Sequence, residues 1–145
     1  DAATETARWE AVMKAISLWQ PWATAIAFGV KKYETRHWST PYRGLLAIHA
    51  AKHIMDKETR LFAMTERTLG RLPARIPFGA MLCIVELVSV EPTEEVALRV
   101  GAIERMYGDY TPGRFAWRLR LLEVFNEPIA CKGHQGFFDW RPRWR

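Results

Sequence analysis

The run from Ala80 to Val90, AMLCIVELVSV, carries a single charge, Glu86. Apolar side chains at almost every position put hydrophobic groups on both faces of an extended chain. Such a strand needs cover above and below, so it belongs at the centre of a sheet. The rest of the chain supplies neighbours for it. Met13 to Leu18 is a short apolar strand candidate, and Leu45 to Ala51 is a buried one ending at Lys52. From Phe115 to Phe125 the pattern alternates: Phe115, Trp117, Leu119 and Leu121 face one way, Arg118 and Arg120 the other. Pro21 and Gly29 bracket a short helix containing Trp22, Ala25, Ile26 and Ala27. Two further helices are expected, from Asp56 to about Leu72 and from Thr93 to about Met106. Lys31 to Trp38 is a polar, β-branched and aromatic run closed by the turn Pro41-Tyr42-Arg43-Gly44. Strands outnumber helices and the connections vary in length. The expected fold class is α+β: a small, mostly antiparallel sheet closed into a β-barrel, with flanking short helices over its openings.

The 145 residues suit one domain, with residues 1–12 as an N-terminal arm and 13–145 as the domain itself. Apolar residues at 49% and charged residues at 26% exclude disorder, collagen and coiled coil. The excess of 21 Lys and Arg over 16 Asp and Glu gives a net charge of +5, and seven tryptophans accompany it. That combination is compatible with a polyanion whose bases stack on aromatic rings. Cys83 and Cys131 lie far apart without a CxxC or Cys-His cluster, which argues against a zinc site and a disulfide scaffold. The longest apolar stretch, Trp22 to Val30, is far too short to span a bilayer. Two reduced thiols in a cytoplasmic protein, without membrane, metal or cofactor, are the expectation.

The densest set of chemistry-bearing residues runs from Trp19 to Trp38. Trp19-Gln20-Pro21-Trp22 enters the short helix, whose first backbone N–H groups lack intrahelical partners and would favour an anion or a carbonyl oxygen. Lys31 and Arg36 then supply cations and Glu34 an acceptor. In an extended strand Lys32, Glu34, Arg36 and Trp38 would share one face and Lys31 the other. The same residues could equally be solvated charges on an exposed strand.

Leu18-Trp19-Gln20-Pro21-Trp22-Ala23, followed by Gly29-x-Lys31-x-x-Glu34-x-Arg36, resembles the signature of the ASCH domain, the activating-signal-cointegrator homology family of the PUA-like superfamily. Trp38, the Thr40-Pro41-Tyr42-Arg43-Gly44 turn, Ile48-His49-Ala50-Ala51-Lys52 and Gly79 to Leu87 are similar to the family in the same order, so residues 14–126 are covered. The resemblance implies a PUA-like β-barrel with a ligand cleft between the barrel and the helix after the first strand. It also implies binding of RNA or other nucleic acid there, and in some members hydrolysis of RNA or of acetylated cytidine. Lys31 matches the lysine of the amidohydrolase branch's Lys-x-x-Thr pair, but Glu34 stands where that branch has its threonine.

Two functions follow as expectations. In the first, Gln20, Pro21, Trp22, Lys31, Glu34, Arg36, Trp38, Lys52 and Glu86 hold single-stranded RNA or a nucleotide-like small molecule, with DNA possible. In the second, the same cleft is a metal-independent hydrolase in which Lys31 and Glu34 are catalytic: a lysine desolvated between rings acts as base and a carboxylate positions water. Glu86 must find a partner or face the pocket. His49 reads as a core histidine, His37 and His53 as exposed, and His134 as part of a turn. Ser17 and Ser39 lack a recognisable Ser-His-Asp context. Lys57, Arg60, Arg118, Arg120, Arg141, Arg143 and Arg145 could extend a positive track. Trp117, in phase with Phe115 and Leu119, reads more readily as core than as a stacking ring.

Overall fold

A computed structural model describes residues 12–54 and 76–142. In chain order the elements are β1 (Met13–Gln20), α1 (Trp22–Ala27), β2 (Tyr33–Arg36), β3 (Gly44–Ile54), β4 (Ala80–Pro92), α2 (Thr93–Val96), α3 (Ala102–Met106), β5 (Phe115–Ala130) and β6 (Phe138–Trp140). They build one six-stranded sheet in the order β2-β5-β4-β3-β1-β6. Its pairs are antiparallel except β1 with β3, which run parallel.

The apolar run does become the interior strand. β4 sits between β3 and β5, and residues Ala80 to Val85 are all buried. One face packs Ile16, Leu18, Leu46, Ile48, Val85, Leu87 and Trp117 beneath Ala23 and Ile26 of α1. The opposite face packs Met13, Ala15, Ala47, Met81, Ile84 and Phe125, with Phe138 and Trp140 against them. A sheet buried on both faces at its centre is what a run without alternation requires.

Two expectations are corrected here. Among the described residues the sheet is not closed into a barrel: β2 and β6 stand at opposite ends and each pairs with a single neighbour. These edge strands are four and three residues long, and no backbone ladder joins them to close the sheet. The helix expected from Thr93 to Met106 is two short ones, because Gly101 is extended (φ −78°, ψ 176°) and the second helix starts afresh after it. The expected helix from Asp56 to Leu72 and most of the 1–12 arm lie outside the described residues. Among the described residues no helix is long and apolar enough to cross a membrane. Cys83 is buried, Cys131 is partly covered, and neither forms a disulfide.

Candidate functional site

Gln20, the last residue of β1, is fully buried and turns inward. Its Oε1 accepts the Thr24 N–H at 2.9 Å and its Nε2 donates to the Pro77 carbonyl at 2.9 Å. The side chain therefore occupies the donor end of α1 and ties it to the segment entering β4. Pro21 is buried as well, and its carbonyl accepts the Ala25 N–H at 3.0 Å. At the helix start expected to hold a ligand, the Thr24 N–H is thus taken by the protein's own Gln20, and α1 has only six residues. Of this group Trp22 alone reaches a cavity wall.

After α1 the chain reverses at Gly29 (φ +77°), a conformation that costs glycine least. Lys31 follows, and it does not project to the far face of a strand. β2 begins only at Tyr33, so the Lys31 side chain passes beneath it and is 2% exposed. Its Nζ donates to the Tyr107 carbonyl at 2.5 Å and lies 3.5 Å from Glu34 Oε1. Glu34 Oε2 lies in turn 3.5 Å from Arg36 Nε, and Arg36 Nη2 donates to the Ser17 carbonyl at 3.2 Å. Glu34 therefore stands between an internal cation and an outer one. Burial pushes the Lys31 ammonium below the usual lysine range, opposed by the carboxylates of Glu34 and Glu104. α3 and the segment after it close over this row. Glu104 accepts the Lys32 N–H at 2.8 Å, and Thr35 Oγ1 accepts the Asp109 N–H at 2.9 Å.

Two adjoining cavities open on the outer side. The first, about 380 Å³, is lined by Trp19, Trp22, Glu34, Arg36, Tyr107 and Arg114, among others. The second, about 850 Å³, is lined by Trp38, His49, Lys52, Lys132, Gly133 and His134, among others. Ser17, Trp19 and Arg36 belong to both walls and make them one cleft. Trp19 is 47% exposed where the two meet. Trp38 is half-buried, its ring edge-on to Trp117 at 4.7 Å and to Phe137 at 5.3 Å, and these contacts fix its plane. Trp117 is fully buried, the core residue its alternation predicted. The described residues lining the larger cavity include Arg36, Lys52 and Lys132 and no carboxylate.

Other candidates fall elsewhere. Glu86 is half-buried and pairs with Arg120 across β4 and β5, Arg120 Nη2 to Glu86 Oε1 being 2.6 Å. Neither residue lines the cleft. Arg118 donates to the Tyr33 hydroxyl at 3.1 Å, and with Arg120, Lys31 and Lys32 it borders a separate depression. Lys57, Arg60, Arg143, Arg145 and the side chain of His53 lie outside the described residues. His37 is exposed on the cleft rim. Among the described residues no group of three or more His, Cys, Asp or Glu could hold a metal ion.

One pair escaped the sequence reading. Ser17 and His49 are register partners on the parallel strands β1 and β3, and Ser17 Oγ lies 2.8 Å from His49 Nδ1. His49 Nε2 lies 2.9 Å from the Cys131 carbonyl. A carbonyl can only accept, so Nε2 carries the proton and Nδ1 of the neutral ring accepts from the serine. Burial lowers the His49 pKa below the ordinary imidazole value, which keeps the ring neutral. The core-histidine expectation holds for burial, at 1% exposed. Ser17, for which the sequence offers no Ser-His-Asp context, gains a histidine here and a backbone carbonyl in place of the carboxylate.

Comparison with known proteins agrees with this architecture. The human and mouse proteins named activating signal cointegrator 1 are 37% and 36% identical to the chain over 78 residues, half of its length. The match spans 13% of each relative's own length. Among solved structures, ASCH from Zymomonas mobilis has a TM-score of 0.50 at 21% identity, covering 81% of this chain and 72% of that one. A point mutant of the same protein has the same score and identity, with 74% of its chain covered. A sequence model of the ASCH domain matches residues 16–129, and the chain belongs to the ASCH domain family.

Proposed function

We propose that the cleft formed by the two adjoining cavities binds single-stranded RNA or a nucleotide-like ligand. The observation that carries this reading is the wall of the larger cavity, which Arg36, Lys52 and Lys132 line without a carboxylate among its described residues and which Trp38 and Trp19 share. The cations would meet phosphates and the indole rings would take bases, each stacked base contributing about 1–3 kcal/mol. Arg36 is the contact between the inner row and the ligand. Lys31 acts through Glu34, holding the carboxylate that positions Arg36, and Gln20 and Pro21 shape α1 from behind. The family's association with RNA supports the same choice of partner.

The test is fluorescence anisotropy of a short single-stranded RNA across a salt series. Three neutralised phosphates give a slope of log K against log salt of roughly −2, at about −0.7 for each. Lys52→Ala with Lys132→Ala should weaken binding and flatten the slope by about 1.4. An unchanged affinity and slope in that double variant would remove the larger cavity as the binding site. The same oligomer as DNA reports the preference between the two nucleic acids.

A further inference from the structure

Ser17 and His49 lie on the wall of the larger cavity and carry the arrangement of a nucleophile and its base. The serine hydroxyl donates to an unprotonated ring nitrogen at 2.8 Å, and the second ring nitrogen is fixed by the Cys131 carbonyl at 2.9 Å. That carbonyl stands where a carboxylate orients the base in a Ser-His-Asp triad. Ser17 is half-buried and lies on both cavity walls. Gly133 covers the pair so closely that a Cβ there would come within 2.6 Å of the His49 ring and 2.9 Å of Ser17 Oγ. Only glycine leaves the pair room. The Arg36 guanidinium, bonded to the Ser17 carbonyl, puts a positive charge on the cavity walls that Ser17 shares.

We propose that Ser17 and His49 are a catalytic dyad that hydrolyses a carboxylic ester of an anionic, phosphate-bearing alcohol. The anionic substrate rests on the reading of the cleft as a phosphate-binding surface. The restriction to esters comes from the dyad: a carbonyl stabilises the imidazolium less than a carboxylate does, so a good leaving group is needed. In the first step the Ser17 proton passes to His49 Nδ1 as Oγ bonds to the acyl carbon, and the carbonyl electron pair moves onto its oxygen. The adduct collapses, the bond to the alcohol oxygen breaks, and that oxygen takes the proton from Nδ1. Water then gives a proton to Nδ1 and bonds to the acyl carbon. Ser17 leaves with that proton, and the products are one acid and one alcohol. This hydrolysis uses neither Lys31 nor Glu34.

The experiment pairs a fluorophosphonate probe, located by peptide mass spectrometry, with turnover of 4-acetoxybenzoate as an anionic ester and methyl 4-acetoxybenzoate as a neutral one. The expected result is label on Ser17, turnover about 100-fold above Ser17→Ala, and preference for the anionic ester. His49→Gln should lose both signals. Gly133→Ala, a loop change that drives a methyl into the dyad, should lose them while circular dichroism is unchanged. The rate should climb through the His49 titration, below pH 6.5, and then level off. The groups facing that ring are Ser17, His134, Phe138 and the Cys131 carbonyl, with Arg36, Lys52 and Lys132 on the same cavity wall. Label absent from Ser17, or turnover equal in Ser17→Ala, overturns the proposal. Label on Ser17 in a protein that binds no RNA keeps the dyad and discards only the RNA reading.

Discussion

Lys31→Met separates an internal cation from a ligand-holding one. The substitution keeps an unbranched apolar stem in a site that is 2% exposed, so packing changes little. What is lost is the donor to the Tyr107 carbonyl at 2.5 Å and one of the two cations beside Glu34. A buried carbonyl left without a donor costs about 1–3 kcal/mol. Glu34 retains Arg36, and relief from burying an ammonium offsets part of the loss, so the net destabilisation should stay near that range. In a domain of this size each kcal/mol moves Tm by about 2–4 °C, which gives a fall of roughly 2–12 °C. Lys31→Ala, which also removes about three methylenes at roughly 0.8 kcal/mol each, should cost about 2 kcal/mol more. Urea and thermal unfolding followed by tryptophan fluorescence measure both variants. Because Lys31 is buried and lines neither wall of the cleft, RNA affinity measured well below Tm should change by less than about threefold, or ~0.7 kcal/mol. A tenfold loss of affinity with an unchanged Tm would refute the placement of Lys31 behind Glu34.

Two other outcomes follow from the same geometry. Gln20→Leu removes the acceptor for the Thr24 N–H and the donor to Pro77, and should cost about 1–3 kcal/mol in urea unfolding without flattening the salt slope of RNA binding. His49 is held below its ordinary pKa of 6.5, so between pH 6.5 and that lowered value the unfolded chain binds the extra proton. Stability should fall as pH drops through this window and stay flat above it, and His49→Gln should lack that component when the two unfolding curves are compared.

Much of the sheet was legible because burial on both faces leaves a mark in a single segment. The unbroken apolar run of Ala80 to Val90 announced an interior strand, and the alternation around Trp117 announced which of its neighbours face the core. Pro21 and Gly29 marked the ends of α1. Closure into a barrel left no such mark, since it depends on whether two edge strands meet, and β2 and β6 do not. The row of Glu34 and Arg36 was visible as spacing. The burial of Lys31 was not, because Lys31 stands two positions ahead of β2, where strand periodicity does not set the direction of a side chain. Ser17 and His49 lie 32 residues apart in two segments that each read as ordinary apolar strands. Only the parallel register of β1 and β3 joins them. The signal that could have suggested the pair was a polar residue in each of two adjacent buried strands.

That register has a consequence for how long the pair stays assembled. The Ser17–His49 contact is a rung of the sheet, flanked by Ile16 paired with Ile48 and Leu18 paired with Ala50. Slipping by one residue would turn every core side chain of β1 to the wrong face, so partial slippage is closed as a route to separating them. The Cys131 carbonyl and Gly133, in contrast, arrive on the connection between β5 and β6, where opening is local. Amide hydrogen exchange should therefore divide the site in two. The amides around Ser17 and His49 should exchange only with global unfolding, and those of Lys132 to Gln135 far sooner. The catalytic atoms keep their places while the cover that orients and shields them comes and goes.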